Sequence, residues 1–173
     1  TDNSVTINLN TSPPVITPNV VGTLGNNGWY VSDVTLSWTV AENGAAISSQ
    51  SGCETQNITS DTSGITFTCT ATSVNGGSSS QSVTIQRDAT APTISAAATS
   101  NPNAAGWYNS DVTVHFTCAD SLSGVTSCPA DETLSSEGAA VASTAQTITD
   151  QAGNSSTSNV GTVKIDKTAP TIS

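Results

Sequence analysis

Four cysteines, Cys53, Cys69, Cys118 and Cys128, are the residues best equipped for covalent chemistry. They fall two and two along the chain, and neither pair has the Cys-x-x-Cys spacing of a zinc site. Structural disulfides within each pair are the reading that fits, and they imply an oxidising compartment. With both pairs oxidised, no thiol remains as a nucleophile. Calcium is the next chemical option. Asp88 and Asp166 each stand a few residues before an Ala-Pro, and Asp120 and Asp150 lie in turn-rich segments. A hard cation takes several oxygen ligands, which loops meeting at a joint would supply. The alternative is that each Asp accepts local backbone hydrogen bonds in an Asx turn. No stretch has a dense Asp-x-Asp pattern, and Asn10 stands where the later joints have Asp. The reading is therefore no cofactor and no assigned metal ligand, with structural calcium as a minor alternative.

The remaining candidates carry less. His115, the single His, alternates with Val114 and Phe116 and so faces outward on a strand. Asp131-Glu132 reads as a pair of acids in a surface loop, with nothing in the sequence to tune either. Trp29-Tyr30 and Trp107-Tyr108 suit either a sugar platform or a strand lead-in packed on the core, and their position before a strand favours the second. Asn10-Thr11-Ser12, Asn57-Ile58-Thr59 and Asn154-Ser155-Ser156 match N-glycosylation sequons, in a chain rich enough in Ser, Thr and Asn to produce such matches by chance. No catalytic residue is assigned, and the chain reads as a non-enzyme.

What must position these residues is a repeat. Gly28-Trp29-Tyr30 recurs as Gly106-Trp107-Tyr108, and Ser32-Asp33-Val34-Thr35 as Ser110-Asp111-Val112-Thr113, a shift of 78 positions. Thr90-Ala91-Pro92-Thr93-Ile94-Ser95 returns at 168–173, and Ser82-Val83-Thr84-Ile85 is anticipated by Ser4-Val5-Thr6-Ile7. Such self-similarity is the mark of tandem units. The expected division is 1–10, the last strand of a preceding repeat or a donor strand; 11–88, repeat 1; 89–166, repeat 2; and 167–173, the first strand of a following repeat.

Composition narrows the class. Three basic residues against 13 acidic ones give a net charge of −10. That excludes the Lys and Arg contacts that dominate nucleic-acid affinity and disfavours an anionic membrane surface. No apolar run approaches the roughly 20 residues that span a bilayer. Charged residues are 9% and aromatic ones 4%, with no Met, so helix is a poor expectation and the Thr, Val and Ile content suits strands.

Period-two alternation supplies those strands. Val34, Leu36, Trp38 and Val40 form one apolar face; Val112, Val114, Phe116 and Cys118 form its counterpart. Ile65, Phe67, Cys69 and Ala71 form another, while Val83 with Ile85 and Val163 with Ile165 mark closing strands. Gly25-Asn26-Asn27-Gly28, Asn43-Gly44, Asn75-Gly76-Gly77, Ser123-Gly124 and Gly153-Asn154 punctuate them as turns. Cys69 and Cys118 therefore lie on strands, and Cys53 and Cys128 in loops at matching places in the repeat. The expectation is that this loop cysteine approaches two neighbouring strands and is stapled to a different one in each repeat.

Several motifs then resemble the immunoglobulin-like repeats of large bacterial secreted and cell-surface proteins. They are Gly106-Trp107-Tyr108 with Ser110-Asp111-Val112-Thr113, Phe116-Thr117-Cys118-Ala119-Asp120, Ser123-Gly124-Val125, Cys128-Pro129, Asp150-Gln151-Ala152-Gly153-Asn154 and Asp166-Lys167-Thr168-Ala169-Pro170. Repeat 1 departs from the pattern, with Ser73-Val74-Asn75-Gly76-Gly77 in place of the Asp-x-Ala-Gly-Asn motif. The resemblance implies stalks, spacers, adhesins or filaments outside the cell, without catalysis. The expected fold is all-β, two tandem immunoglobulin-like antiparallel β-sandwiches joined by short Pro-containing linkers. The expected function is rigid extension in an extracellular filament, fibre or stalk. Its partners would be neighbouring copies head to tail, with glycans as an option and neither nucleic acid nor an inserted membrane segment. The alternatives are an adhesin or carbohydrate-binding accessory module, for which only 119–138 is a candidate loop, and a subunit polymerised by strand exchange through Ser4–Leu9.

Overall fold

The computed structural model describes residues 12–42, 44–158 and 161–172. The segment 1–10, Asn10 and Thr11 of the first sequon, and Asn43 of one expected turn lie outside them. The described residues contain strands and turns with no helix, in several antiparallel sheets, an all-β arrangement consistent with a β-sandwich. The chain divides into two compact units between Ala89 and Thr90.

In unit 1 the strands are β1 (Val15–Val21), β2 (Trp29–Tyr30), β3 (Val34–Ala41), β4 (Ile47–Ser51), β5 (Gln56–Ile58), β6 (Thr62–Ser73) and β7 (Ser78–Arg87). One sheet has the order β1-β3-β5 and the other β2-β7-β6-β4. All pairings are antiparallel except β2 with β7, where Trp29 sits opposite Gln86 and Tyr30 opposite Arg87. Alternation along β3 buries Val34 and Leu36, which meet Ile58 of β5 and Ile85 of β7 in one cluster. Side chains of both sheets thus share one core, and removal of this apolar surface from water is its main driving force. Tyr30 and Trp38 are partly buried against that core.

Ile65 is the exception among the expected inward residues, at 42% exposed. The pairing of β6 with β7 shifts between Thr62 and Ile65. The extra residue lies before Ile65, and from there the register is regular, so Ile65 keeps the face of Phe67, Cys69 and Ala71, opposite Ile85, and its exposure marks the end of that face.

In unit 2 the strands are β8 (Thr93–Ala98), β9 (Trp107–Tyr108), β10 (Val112–Ala119), β11 (Glu132–Leu134), β12 (Gly138–Ala142), β13 (Thr147–Thr149), β14 (Ser155–Thr157) and β15 (Thr162–Ile165). The sheet β11-β10-β8 repeats the order of its counterpart in unit 1. Parallel pairing of β9 with β15, Lys164 opposite Trp107, repeats that of β2 with β7 at a shift of 78. Val112, Val114, Phe116, Leu134 and Ile165 form the core. Residues 166–172 lie outside the strands.

Candidate functional site

The sulfur bridges come first, because each closes its own unit. Cys53, just after β4, is bonded to Cys69 on β6, with Cα atoms 4.6 Å apart. Cys118 on β10 is bonded to Cys128 in the following loop, with Cα atoms 5.7 Å apart. No described cysteine is free. The two strands that receive the loop cysteine are not neighbours within a sheet, as alternation alone suggested. The first, β6, belongs to the sheet β2-β7-β6-β4, and the second, β10, is the counterpart of β3 in the other sheet. The loop cysteine is thus bonded to one layer in unit 1 and to the counterpart of the other layer in unit 2. Gly52 makes the first bridge sterically feasible. Its φ is +70°, and a Cβ there would overlap the Thr68 carbonyl oxygen, so only a glycine lets the loop lie on β6 next to Cys69. Two disulfides fit an oxidising environment. No helix among the described residues is long and apolar enough to cross a membrane.

The acids of unit 2 form the second cluster. Asp150 is fully buried. Its Oδ1 accepts the N–H groups of Gly153 at 2.7 Å and Asn154 at 2.8 Å, and its Oδ2 accepts Nδ2 of Asn154 at 2.8 Å. Asp120, at the end of β10, uses Oδ1 to accept the N–H groups of Leu122 at 3.1 Å and Gly124 at 2.6 Å. These are the Asx turns that the Asp-Ser-Leu-Ser-Gly and Asp-Gln-Ala-Gly-Asn segments favour. Carboxylate oxygens of the two residues lie within 4.8 Å of each other. Asp120 Oδ2 is buried and lacks a hydrogen-bond partner. The other three oxygens of the two carboxylates each accept at least one N–H donor. At the far end of the unit, Asp166 Oδ1 accepts the Thr168 N–H at 3.1 Å, again an Asx turn. Asp88 is fully buried at the end of unit 1, and its N–H donates to Tyr30 O at 2.9 Å, as that of Asp166 donates to Tyr108 O.

The other expected candidates are placed as follows. His115 is exposed, and its Nδ1 lies 2.7 Å from Asp131 Oδ1. Glu132 is the first residue of β11 rather than part of a loop, and its carboxylate accepts both N–H and Oγ1–H of Thr144. Tyr30 and Tyr108 pack against the two cores. Trp29 and Trp107 are half-buried in two-residue strands, and Lys164 Nζ stands 5.9 Å from the Trp107 ring centroid. The Trp-Tyr pairs therefore serve as strand lead-ins that attach to the closing strand of each unit.

Arg87 was not singled out by the sequence, yet it organises one end of unit 1. It is only 8% exposed. Its Nη1 donates to Asp61 and its Nη2 to Asp33 at 2.8 Å, while Nε donates to Ser32 O at 3.0 Å. A planar guanidinium suits such convergent acceptors. The one available signal was its rarity, one of three cationic residues in the chain. No protein-family model matches this chain, and no curated protein matches it in sequence.

Proposed function

We propose that the chain is a non-catalytic structural segment of an extracellular filament, fibre or cell-surface stalk. On this reading it is built from two tandem immunoglobulin-like units and gives rigid length. The observation that carries the reading is that the 78-residue period of the sequence is also a period of pairing. Trp29 opposite Gln86 becomes Trp107 opposite Lys164, and β1-β3-β5 becomes β8-β10-β11. A unit that recurs with its own core and its own disulfide is a module suited to serial addition. The Asp-x-Thr-Ala-Pro joints, with Pro restricting both itself and the residue before it, favour stiff connections over floppy ones.

Within this reading, a covalent array is favoured over strand exchange. β7 pairs within unit 1 and β15 within unit 2, so each unit closes with a strand of its own. Neighbours would be further copies joined head to tail, outside the cell. The test is electron microscopy of native material together with electrophoresis after boiling in denaturant and reductant. Thin regular fibres that remain very large after boiling are expected. Fibres that fall to single chains would instead establish strand exchange, and compact particles with no fibre would overturn the structural reading altogether.

A further inference from the structure

Two sequons lie fully within the described residues, and they differ in what their side chains are doing. Asn154 Nδ2, the atom a glycan would occupy, donates to Asp150 Oδ2 at 2.8 Å and to Thr90 O at 3.3 Å. Its Ser156 hydroxyl is bonded to Pro92 O. That sequon is held inside the turn that buries Asp150, and a glycan there would remove a donor from a fully buried carboxylate. Asn57 is in a different position. It is exposed on β5, a three-residue strand at the edge of its sheet. Its Oδ1 accepts the Thr35 hydroxyl at 3.0 Å, and its Nδ2 has no hydrogen-bond partner among the described residues. Thr59, two residues on in extended chain, is exposed as well, whereas Ile58 between them points into the core. Both the amide of Asn57 and the hydroxyl-bearing Thr59 just past β5 are thus open to solvent. Beside them lies an open groove of about 310 Å³, lined by Asn57, Thr59, Asp61, Ile65 and Phe67 among others. Ile65, 42% exposed, and Phe67 give that groove an apolar wall.

We propose that Asn57 is an N-glycan attachment site and that Asn154 is a sequon the fold closes. The co-reactant is an oligosaccharide carried on a lipid diphosphate. Asn57 Nδ2 forms a bond to the sugar's C1, the C1–O bond to the diphosphate breaks, the lipid diphosphate leaves, and one amide proton passes to a base of the transferase. No electron transfer is involved. The inference rests on the extracellular reading above, since the reaction needs passage through a glycosylating secretory route.

The test is secretion of the full chain from a eukaryotic cell that N-glycosylates, followed by mass spectrometry of its proteolytic peptides. Enzymatic deglycosylation in heavy-oxygen water marks each formerly occupied asparagine by isotope. The expected result is a glycan on Asn57 in most molecules, none on Asn154, and loss of the Asn57 glycan in both Asn57→Gln and Thr59→Val. A secreted chain with Asn57 bare, or with its glycan on Asn154 instead, overturns the proposal. The unsubstituted chain gives that answer even if a variant is not secreted. Microscopy of the native fibre reports on the structural reading separately, so the two can fail independently.

Discussion

Unit 1 and unit 2 use one period but close it differently, and the sulfur partner changes together with the strands at the edge. In unit 1 the loop cysteine is tied to β6, and the segment before it pairs along β6 as a five-residue strand, β4. In unit 2 the equivalent cysteine is tied to β10. The matching segment keeps one isolated bridge, Val125 opposite Asp150, and Pro129 beyond it has no N–H to continue a ladder. The continuous hairpin β6–β7 of unit 1 is likewise split in unit 2 into β12–β15 and β13–β14. Cross-strand hydroxyl pairs line the first, Thr66 with Thr84 and Thr68 with Ser82, both at 2.8 Å. Gly138, Ala139, Ala140 and Ala142, poor strand formers, occupy the corresponding part of the second. A repeated core therefore tolerates different edges, provided that each unit keeps one covalent staple.

The comparison breaks most readily at those staples. Replacing Cys53 and Cys69 together by Ala should destabilise unit 1 by about 3 kcal/mol, the chain-entropy value for a loop of this size, and leave unit 2 unchanged. The pair Cys118 and Cys128 should give the converse, somewhat smaller because its loop is shorter. Hydrogen exchange followed peptide by peptide distinguishes the units. Equal loss in both would mean that they do not fold as separate modules.

Next comes the glycine that precedes each loop cysteine, directly in unit 1 and four residues earlier in unit 2. Gly52→Ala combines a positive φ with overlap on the Thr68 carbonyl and should cost about 2–3 kcal/mol. Gly124→Ala has a positive φ but open space around it, and should cost about 1 kcal/mol. Denaturant melts of the two variants check the ranking. Similar costs would show that the loop of unit 1 can lift off β6.

The ion pairs near each Trp-Tyr lead-in sharpen the contrast further. Arg87→Ala removes three donors from a buried guanidinium and should cost about 2 kcal/mol. Lys167 bonds Asp111 at 2.8 Å, but the two side chains are 33% and 50% exposed, so Lys167→Ala should cost under about 1 kcal/mol and fade with salt. Thermal melts at low and high salt separate them. The smallest effect is expected at Asp120. In metal-free buffer Asp120→Asn keeps an oxygen for Leu122 and Gly124, removes a like charge within 4.8 Å of Asp150, and adds a donor where Oδ2 had no partner. A gain of about 1 kcal/mol in unit 2 is expected, and a loss would show that the negative charge itself is needed.

Legibility in the sequence followed the range of the interaction. Val34, Leu36, Val112 and Val114 were readable as core because alternation is a property of a few adjacent residues. The turns of Asp150 and Asp166 were readable as Asx motifs for the same reason. Arg87 was not, since Ser32 with Asp33, and Asp61, reach it from two segments distant in the chain. His115 with Asp131 is a similar case, a pair 16 residues apart that joins β10 to the residue just before β11. Ile65 misled because alternation assigns a residue its face but not how far that face is covered.

The sequence by itself determined the period, the strand-rich class and which faces are apolar, because repetition, β-branched content and alternation are local and survive without a partner strand. Tertiary structure alone decided which sheet each loop cysteine joins, whether β4 forms, and which sequon is left open. Those outcomes depend on distances between segments far apart in the chain, and no local spacing encodes them.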